Sequence, residues 1–320
     1  MQASDRIGRR MKLHDLHVLM TVVQTGSMSK AAALLNTGQS AISRSIADLE
    51  NTFGVLLLDR SHQGVKPTEY GRALLDGGTA VFDDLRRTVK NMEFLADPTA
   101  GEVRVGSNHV LAASFVSVVV DRLSRRYPRA AFRLVTAHVE TQRRELTERN
   151  LDLLVARKLG LGADDRLNYE FLFDESYSIV VGARNRWARR RMIDLREIAN
   201  EPWVLPPPGS VSGSVAMEAF RANGLDYPRA AVIAELADVR TSLLMTGRFI
   251  SIFPDSILRL PARRPELKAL PLKQALTSVP VGIITLKSRT ISPLAKIFVD
   301  VSRELAKELT IGKRNGRCVR

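Results

Sequence analysis

Cysteine is nearly absent from this chain, which has a single one, Cys318, among 320 residues. A lone cysteine forms no internal disulfide, and this usage is typical of a reducing compartment. No apolar run approaches the ~20 residues of a membrane-spanning helix, and the longest candidate, residues 110–120, ends at Asp121 and Arg122. The opening residues, MQASDR, are not followed by an apolar core, so no secretory signal is expected. We therefore expect a cytoplasmic protein without a membrane partner.

Basic residues outnumber acidic ones, with 48 Lys and Arg against 34 Asp and Glu and a formal net charge of +14. Such an excess favours a polyanionic partner, because neutralising phosphates drives non-specific binding to nucleic acids. Residues 1–95 hold 12 basic and 10 acidic residues, and the other 225 hold 36 and 24. Net charge therefore predicts a polyanionic partner without locating it at the N-terminus. Apolar residues make up 45% and charged residues 26%, as in ordinary globular proteins, which excludes a disordered chain.

Turn and cap residues divide the first part of the chain into three helices and a hairpin. Apolar residues at helical spacing predict helices over residues 13–23, 29–35 and 39–53. Residues 56–58 and 65–67 are expected to pair as a small hairpin, because turn-forming residues separate them.

The third predicted helix has two faces of different chemistry. Its apolar residues, Ile42, Ile46 and Leu49, share one face. The other face carries side chains that can hydrogen-bond to base edges and phosphates near the start of the helix, namely Gln39, Ser40, Ser43 and Arg44. Two helices joined by a tight turn also form ordinary buried corners. The pattern alone therefore leaves DNA binding and a purely structural corner as alternatives.

A long helical pattern runs from Thr68, a plausible N-cap, to about Leu95. Its apolar residues recur at steps of three and four residues, in a narrow seam. A solitary helix has little of its own chain to bury such a seam against, so pairing between two subunits is predicted. The residues proposed for this dimerisation are Leu74, Val81, Leu85 and Met92.

From about residue 98 the pattern changes to alternating strands and helices, which predicts a parallel or mixed sheet flanked by helices. The last predicted elements are a strand over 281–286 and a helix over 292–309. The fold class expected for the whole chain is α+β, a helical N-terminal region followed by an α/β region.

Residues 16–50 (LHVLMTVVQTGSMSKAAALLNTGQSAISRSIADLE) carry a family resemblance, which FGVLL at 53–57, DR at 59–60 and PTEYG at 67–71 continue without gaps. This stretch resembles the LysR-type family of bacterial transcription regulators. The resemblance implies four regions: a winged helix-turn-helix over 1–67, a linker (dimerisation) helix over 68–97, an effector-binding domain over 98–311 and a basic tail over 312–320. The effector-binding domain would be two-lobed, of the periplasmic-binding-protein type. Lobe one would span about 101–173 and 280–311 and lobe two about 174–279, with crossing strands at 170–173 and 270–281.

The function that the resemblance implies is a sequence-specific DNA-binding transcription regulator controlled by a small-molecule effector. It would act on promoter DNA as a homodimer or homotetramer, associated with the nucleoid of the bacterial cytoplasm, with RNA polymerase as a candidate partner. The helix face named above would enter the major groove, and a wing would lie on the backbone or minor groove. Further DNA contacts are expected from Thr37 before the helix and from Arg60, His62, Gln63 and Lys66 of the wing. The family commonly has Ser-Gln-Pro where this chain has Gly38, Gln39 and Ser40, which changes the bases that are read and not the fold.

The resemblance also implies a ligand cleft between the lobes. Strand ends and helix starts supply backbone N–H groups and a helix dipole that favour an anion. The effector-binding candidates are Ser107, Asn108, Thr136, Arg157, Pro207, Gly209 and Ser210. Ser107 and Ser210 have the alternative role of simple N-caps, and Arg157 that of a solvated surface charge. If it faces the cleft, Arg157 favours a carboxylate. Residues 203–253 resemble regulators linked to sugar or aromatic-acid metabolism, which makes a sugar or an organic acid the candidate effector.

Catalytic, metal and cofactor motifs are not found. The run GSVSG at 209–213 has valine where a nucleophile elbow requires serine, and His14 and His17 lack further ligands for a metal. There is no Walker or dinucleotide fingerprint. We therefore expect no enzyme and no cofactor. The alternatives are a two-lobed solute-binding protein, which the N-terminal 95 residues disfavour, and a small-molecule hydrolase or deaminase, which the lack of a paired nucleophile and base disfavours.

Overall fold

The computed structural model describes residues 11–61, 64–97, 99–158, 164–260, 265–274 and 276–315, with side chains as far as residue 310. The chain divides into two compact units, residues 1–89 and 90–320. Two predicted wing contacts, His62 and Gln63, lie outside the described residues, and so do the side chains of the predicted basic tail at 312–320.

The first unit contains the helix-turn-helix and a hairpin. Its elements are α1 (Leu13–Thr25), α2 (Met28–Leu34), α3 (Gln39–Phe53), β1 (Leu58–Ser61), β2 (Gly64–Pro67) and the start of α4 (Glu69–Ala96). The three predicted helices are confirmed. The first strand of the hairpin was predicted two residues too early. Leu57 lies just before it, and its backbone N–H donates to Glu50 Oε1 of α3 at 2.9 Å.

Apolar residues from all three helices form one core in this unit. Val18, Leu19 and Val22 of α1 pack with Ile42, Ile46 and Leu49 of α3. Gly26 ends α1 in the left-handed conformation, at φ 65°, and Ser27 caps α2 by accepting the N–H of Lys30. The carbonyl of Gly26 also accepts the N–H of Val65 at 3.1 Å, which fixes the hairpin to the corner between α1 and α2.

The long helix α4 begins where the sequence predicts. Thr68 is its N-cap, because its Oγ1 accepts the N–H of Gly71 at 3.0 Å. Leu74 packs against the core of the first unit, whereas Val81, Leu85 and Met92 are exposed, at 40%, 43% and 64%.

The second unit is built from two sheets. The first part of its chain forms β3 (Ala100–Ser107), α5 (His109–Leu111), a π-helical segment (Ala112–Val116), α6 (Ser117–Arg126), β4 (Arg129–Thr136), α7 (Val139–Thr147), β5 (Leu153–Arg157) and β6 (Leu167–Glu175). The rest forms β7 (Tyr177–Gly182), a 3-10 helix (Arg186–Arg189), α8 (Leu195–Ile198), β8 (Trp203–Leu205), α9 (Val211–Ala222), β9 (Ala230–Ile233), α10 (Ala237–Met245), β10 (Ile250–Pro254), α11 (Ser256–Arg259), β11 (Leu267–Ala269), β12 (Val279–Leu286) and α12 (Pro293–Asn315).

The two sheets define two lobes. Lobe one has strand order β4-β3-β5-β12-β6, and lobe two has the order β11-β7-β10-β8-β9. In lobe one β3 runs parallel to β4 and β5, while β12 is antiparallel to β5 and β6. Lobe two also combines parallel and antiparallel pairs. The sheets are therefore mixed, as expected, and apolar clusters cover both faces of each.

The chain crosses between the lobes twice, at positions that differ from the predicted strands. On the first crossing β6 continues to Glu175, and Ser176 alone separates it from β7. On the second, the segment after β11 stays with lobe two, because Leu270 N–H donates to the Ile179 carbonyl at 2.8 Å. Pairing with lobe one begins only at Val279. Within the described ranges, none of the helices has the length and apolar character of a membrane span.

Candidate DNA-binding surface and ligand cleft

The polar face of α3 is open to solvent. Gln39, Ser40 and Arg44 are exposed and Ser43 is half-buried, while the apolar residues of the opposite face are buried. The helix begins after Gly38, which supplies no side-chain cap. Ser29 Oγ of α2 donates to Gln39 Oε1 at 3.0 Å. This bond orients the Gln39 side chain and leaves its amide nitrogen as the donor group for an outside partner.

The turn before α3 and the hairpin add exposed groups to this surface. Thr37, Arg60 and Lys66 are exposed. In the antiparallel register of the hairpin, Arg60 lies opposite Val65, and Asp59 lies opposite Lys66. In the part of the chain that the structure describes, no carboxylate forms an ion pair with Arg44, Arg60 or Lys66. These three cations are therefore available to phosphates.

A cleft of about 510 Å³ lies between the two lobes of the second unit. Five of the seven predicted effector-binding residues line it: Asn108, Thr136, Arg157, Gly209 and Ser210. The other two do not reach its wall. Ser107 is buried and donates its hydroxyl to the Val155 carbonyl at 2.8 Å, and the Pro207 carbonyl accepts the Ser210 hydroxyl at 2.7 Å.

The capping alternatives are decided by the hydrogen bonds. Ser210 caps α9, because its Oγ accepts the N–H of Gly213 at 3.1 Å. The cap after β3 is Asn108 and not Ser107, since Asn108 Oδ1 accepts the N–H of Leu111 at 3.0 Å. Both lining residues thus have structural roles as well as cleft positions.

Arg157 is buried, with 6% of its surface exposed, so the interpretation as a solvated surface charge is wrong. Its Nη2 lies 3.6 Å from Glu175 Oε2, and its Cζ lies 5.7 Å from the centroid of the Tyr177 ring. Burial raises the pKa of Glu175, and the charge of Arg157 opposes that rise. The end of β5 therefore holds a buried ion pair and not a solvated cation.

Glu175 also connects the lobes through hydrogen bonds. The N–H and the hydroxyl of Ser256, in lobe two, donate to its two carboxylate oxygens at 3.1 Å each. Ser256 Oγ lies 3.2 Å from Ser114 Oγ, in the π-helical segment of lobe one. A continuous polar chain therefore joins the lobes at their crossing.

Arg240 of α10 is a cleft residue that was not predicted from the sequence. It is 2% exposed, Nη1 donates to the Ile252 carbonyl at 2.8 Å, and Cζ lies 4.4 Å from the Phe253 ring centroid. Burial lowers its pKa to about 10. A sequence signal was present, because Arg240 shares the buried face of its helix with Ala237 and Leu244. An arginine at an apolar position of a helix indicates a buried charge.

Two histidines, His109 and His138, also line the cleft. His138 Nε2, in lobe one, lies 3.6 Å from Glu235 Oε1, in lobe two. The side chains of His138 and Glu235 are both more than half exposed, so this contact belongs to the rim of the cleft. Across the described residues, no three His, Cys, Asp or Glu side chains are placed to hold a metal ion.

A helix-turn-helix with a hairpin wing, followed by two lobes that enclose a cleft, defines a ligand-binding regulator that acts on DNA. The family is shown by two matches. Residues 13–72 match the bacterial regulatory helix-turn-helix protein, lysR family, and residues 96–307 match the LysR substrate binding domain. The chain belongs to the LysR family of transcription regulators.

Known proteins resemble it along most of its length. The HTH-type transcriptional regulator YybE of Bacillus subtilis strain 168 is 26% identical over 295 residues, which are 90% of this chain and 97% of YybE. A full-length OxyR of Pseudomonas aeruginosa has 18% identity and a TM-score of 0.66, covering 92% of this chain and 95% of OxyR. The regulator CbnR, solved in complex with its target DNA, has 23% identity and a TM-score of 0.55, covering 92% of this chain and all of CbnR.

The protein is thus a transcription regulator with a DNA-binding helix-turn-helix domain and an effector-binding domain. The family and fold class predicted from the sequence are confirmed. Its relatives are transcription regulators and not enzymes, so neither a solute-binding protein nor a hydrolase is favoured.

Proposed function

We propose that this regulator recognises a promoter sequence with α3 and the β1–β2 hairpin, and that an organic acid bound in the cleft changes this recognition. The observation that carries the proposal is the division of α3 into a buried apolar face and an exposed polar face. Gln39 and Arg44 carry donors of the kind that contact base edges in the major groove. Arg60 and Lys66 of the hairpin contact phosphates, which set the register of the protein on the duplex.

Self-association through α4 supports this function. Val81, Leu85 and Met92 form an exposed apolar seam, and a second copy of α4 would bury it. Leu74 contributes to the domain core in addition to any role in the seam. A homodimer presents two copies of α3 to two half-sites of the DNA. A homotetramer presents four copies of α3. RNA polymerase is the candidate protein partner at the promoter, and the proposed location is the nucleoid in the bacterial cytoplasm.

The cleft favours an acid over a neutral sugar as the effector. Arg157 and Arg240 line it, and the N-terminus of α9 opens onto it at Ser210. A guanidinium binds a carboxylate through charge-assisted hydrogen bonds, and a helix N-terminus stabilises negative charge. Because the cleft lies between the lobes, the effector stabilises one placement of the lobes. Binding of the effector changes DNA recognition only if its affinity differs between two placements of the lobes.

Nuclease protection of the DNA upstream of the gene for this protein tests the proposal. We expect the full chain to protect a defined segment, and Gln39→Ala to lose that protection. Asn51→Ala is the matched control: it removes a similar amide from an exposed position on the same helix, about 18 Å further along its axis. Failure of the wild-type chain to protect any segment, or equal protection by Gln39→Ala, would refute the proposal.

A further inference from the structure

Lobe two carries a cluster of exposed arginines that the proposed function does not use. Residues 96–320 hold 36 basic and 24 acidic residues, so most of the net positive charge lies outside the helix-turn-helix. Within lobe two, the segment after β7 and the turn before β10 are rich in exposed arginine. We call this surface the arginine face, and its members are Arg184, Arg186, Arg189, Arg190, Arg191 and Arg248.

Trp187 holds the first segment of the arginine face against lobe two. Its side chain belongs to an apolar cluster of that lobe and is 9% exposed. The Cζ atoms of Arg186 and Arg190 lie 5.4 and 5.7 Å from the centroid of its ring. Asn185 caps the 3-10 helix, because its Oδ1 accepts the N–H of Trp187 at 2.9 Å. The arginines of this segment therefore project from a fixed part of the fold.

The second segment lies directly beside the first. Asn185 Nδ2 donates to the Phe249 carbonyl at 3.4 Å. A Cβ on Gly247 would lie 3.2 Å from Arg184 Cβ. Arg248 stands between Gly247 and Phe249 in the chain, so it adds its charge to the same surface.

Most charges of the arginine face have no carboxylate partner. Arg186 pairs with Glu201. Within the described part of the chain, no ion pair is formed by the other members, Arg184, Arg189, Arg190, Arg191 and Arg248. Glu266 is the second carboxylate near this surface, because its backbone carbonyl accepts the N–H of Ala183 at 2.8 Å. Six arginines therefore face two carboxylates, and the surface carries a strong positive charge.

Lobe one treats its arginines differently. Arg122 pairs with Glu308, and Arg303 pairs with both Glu170 and Asp300. Most other arginines of that lobe also form ion pairs, namely Arg104, Arg125, Arg129, Arg143, Arg144, Arg157, Arg166 and Arg289. Unpaired arginine is therefore concentrated on lobe two, which indicates that an outside partner supplies the negative charge.

The composition of the arginine face favours DNA over a protein surface. Guanidinium groups match the oxygens of phosphates and of carboxylates alike. Protein–protein interfaces, however, have centres depleted in charge and enriched in aromatic side chains, whereas protein–DNA interfaces are polar and strongly positive. Among the described residues 183–192, Met192 is the only large apolar side chain that is exposed. A phosphate backbone is a partner that requires no apolar contact.

We propose that the arginine face binds the phosphate backbone of duplex DNA without regard to sequence. This contact goes beyond base recognition by α3, and it requires no effector. Each arginine that contacts a phosphate releases counterions from the DNA, so it strengthens binding most at low salt. The effector-binding domain thereby supplies part of the affinity for DNA, while the helix-turn-helix supplies the specificity.

Binding of the full chain to a long duplex of scrambled sequence, measured at several salt concentrations, tests this contact. The variant combines Arg189→Gln with Arg191→Gln, because both arginines are exposed and neither stacks on Trp187. We expect the slope of log affinity against log salt to become less steep by about 0.9 for each arginine removed. The midpoint of thermal unfolding should not change, since neither side chain packs in the core.

The control variant combines Arg126→Gln with Arg133→Gln. These two arginines are exposed on lobe one, and neither forms an ion pair with a described carboxylate. The net charge of the control therefore falls by the same amount, and we expect it to keep the wild-type slope. A third variant, Arg189→Lys with Arg191→Lys, retains both charges and should also keep the slope.

An unchanged slope in the glutamine variant of Arg189 and Arg191 would overturn the proposal. An equal loss in the lobe-one control or in the lysine variant would overturn it too. An unchanged DNA slope together with lost binding to poly-glutamate would refute the DNA contact and assign the face to an acidic protein. Scrambled DNA contains no specific site, so the test does not depend on the proposed function. Nuclease protection reports that function separately: a protected segment with an unchanged slope refutes only the DNA contact of the arginine face.

Discussion

Gly78 of α4 packs directly against Leu16 of α1, so closely that a Cβ on Gly78 would lie 2.9 Å from Leu16 Cδ1 and 3.1 Å from its Cγ. Leu16 is buried, with 1% of its surface exposed. The adjacent Gly77 has nothing within 4 Å of its Cβ position. Two consecutive glycines in one helix therefore have different roles, because only Gly78 permits a close approach between helices.

We expect Gly77→Ala to stabilise the first unit by about 0.5–1 kcal/mol, since alanine has the higher helix propensity. Gly78→Ala gains the same term but overpacks the contact with Leu16, which costs about 1–3 kcal/mol. Urea denaturation of the two variants measures the difference. Equal free energies of unfolding for the two variants would show that α1 and α4 move apart without cost where Gly78 contacts Leu16.

Arg44→Ala and Lys66→Ala should weaken DNA binding in different ways. Arg44 lies on the exposed polar face of α3, so Arg44→Ala is expected to reduce the discrimination against a wrong base pair at one position by about 1–3 kcal/mol. Lys66, on the hairpin, should weaken binding to all sequences and reduce the slope of log affinity against log salt by about 0.9. Binding measured at several salt concentrations, on the protected segment and on a scrambled duplex, separates the two. An unchanged salt slope in Lys66→Ala would contradict the phosphate contact.

Leu85→Asp should weaken self-association. Leu85 is 43% exposed in the seam of α4, and a carboxylate there must be desolvated when two seams pack together. We expect the dissociation constant of the proposed dimer to rise by on the order of tenfold or more. Sedimentation velocity provides the measurement, and Leu34→Asp provides the control, because Leu34 is an exposed leucine on α2, outside the seam. Loss of association in both variants would rule out a specific seam.

Ser256→Ala should destabilise the second unit by about 1.5–3 kcal/mol at neutral pH, because its hydroxyl donates to the buried carboxylate of Glu175. Burial already raises the pKa of Glu175, and loss of the donor raises it further. A carboxyl group with a raised pKa contributes most to stability at low pH, and this contribution declines as the pH rises through the folded value. The deficit of the variant should therefore grow between pH 4 and pH 8.

Ser251→Ala is the control for this measurement. Ser251 is a fully buried serine of β10 whose hydroxyl has no hydrogen-bond partner among the described residues. Its replacement removes a buried polar group that lacks a partner, so it should not destabilise the second unit, and its effect should be the same at pH 4 and pH 8. A pH-independent deficit in Ser256→Ala would show that its hydroxyl does not act through the charge of Glu175.

The helix-turn-helix was predictable because its signals are local. Periodicity fixed α3 over residues 39–53, and Thr68 capped α4 as its sequence position indicated. The π-helical segment at Ala112–Val116 was not predictable, since an apolar run interrupted by Ser114 fits a regular helix equally well. In the structure Ser114 contacts Ser256, which is 142 residues away.

The cleft was harder to predict than the fold for the same reason. Asn108 and Ser210 were found because strand ends and helix starts leave signals in the sequence. Arg157 was placed on the correct strand, but its burial depends on Glu175 and Tyr177, which lie on either side of the crossing between the lobes. Chain order does not show which distant groups meet around a charge.

Strand β12 is an inner strand of the lobe-one sheet, between β5 and β6, although it is synthesised after all of lobe two. On the ribosome, β6 has no neighbour to pair with until nearly the whole polypeptide has emerged. The lobe that begins first must therefore be completed last, and a nascent chain arrested before residue 279 leaves an open sheet edge exposed to other proteins.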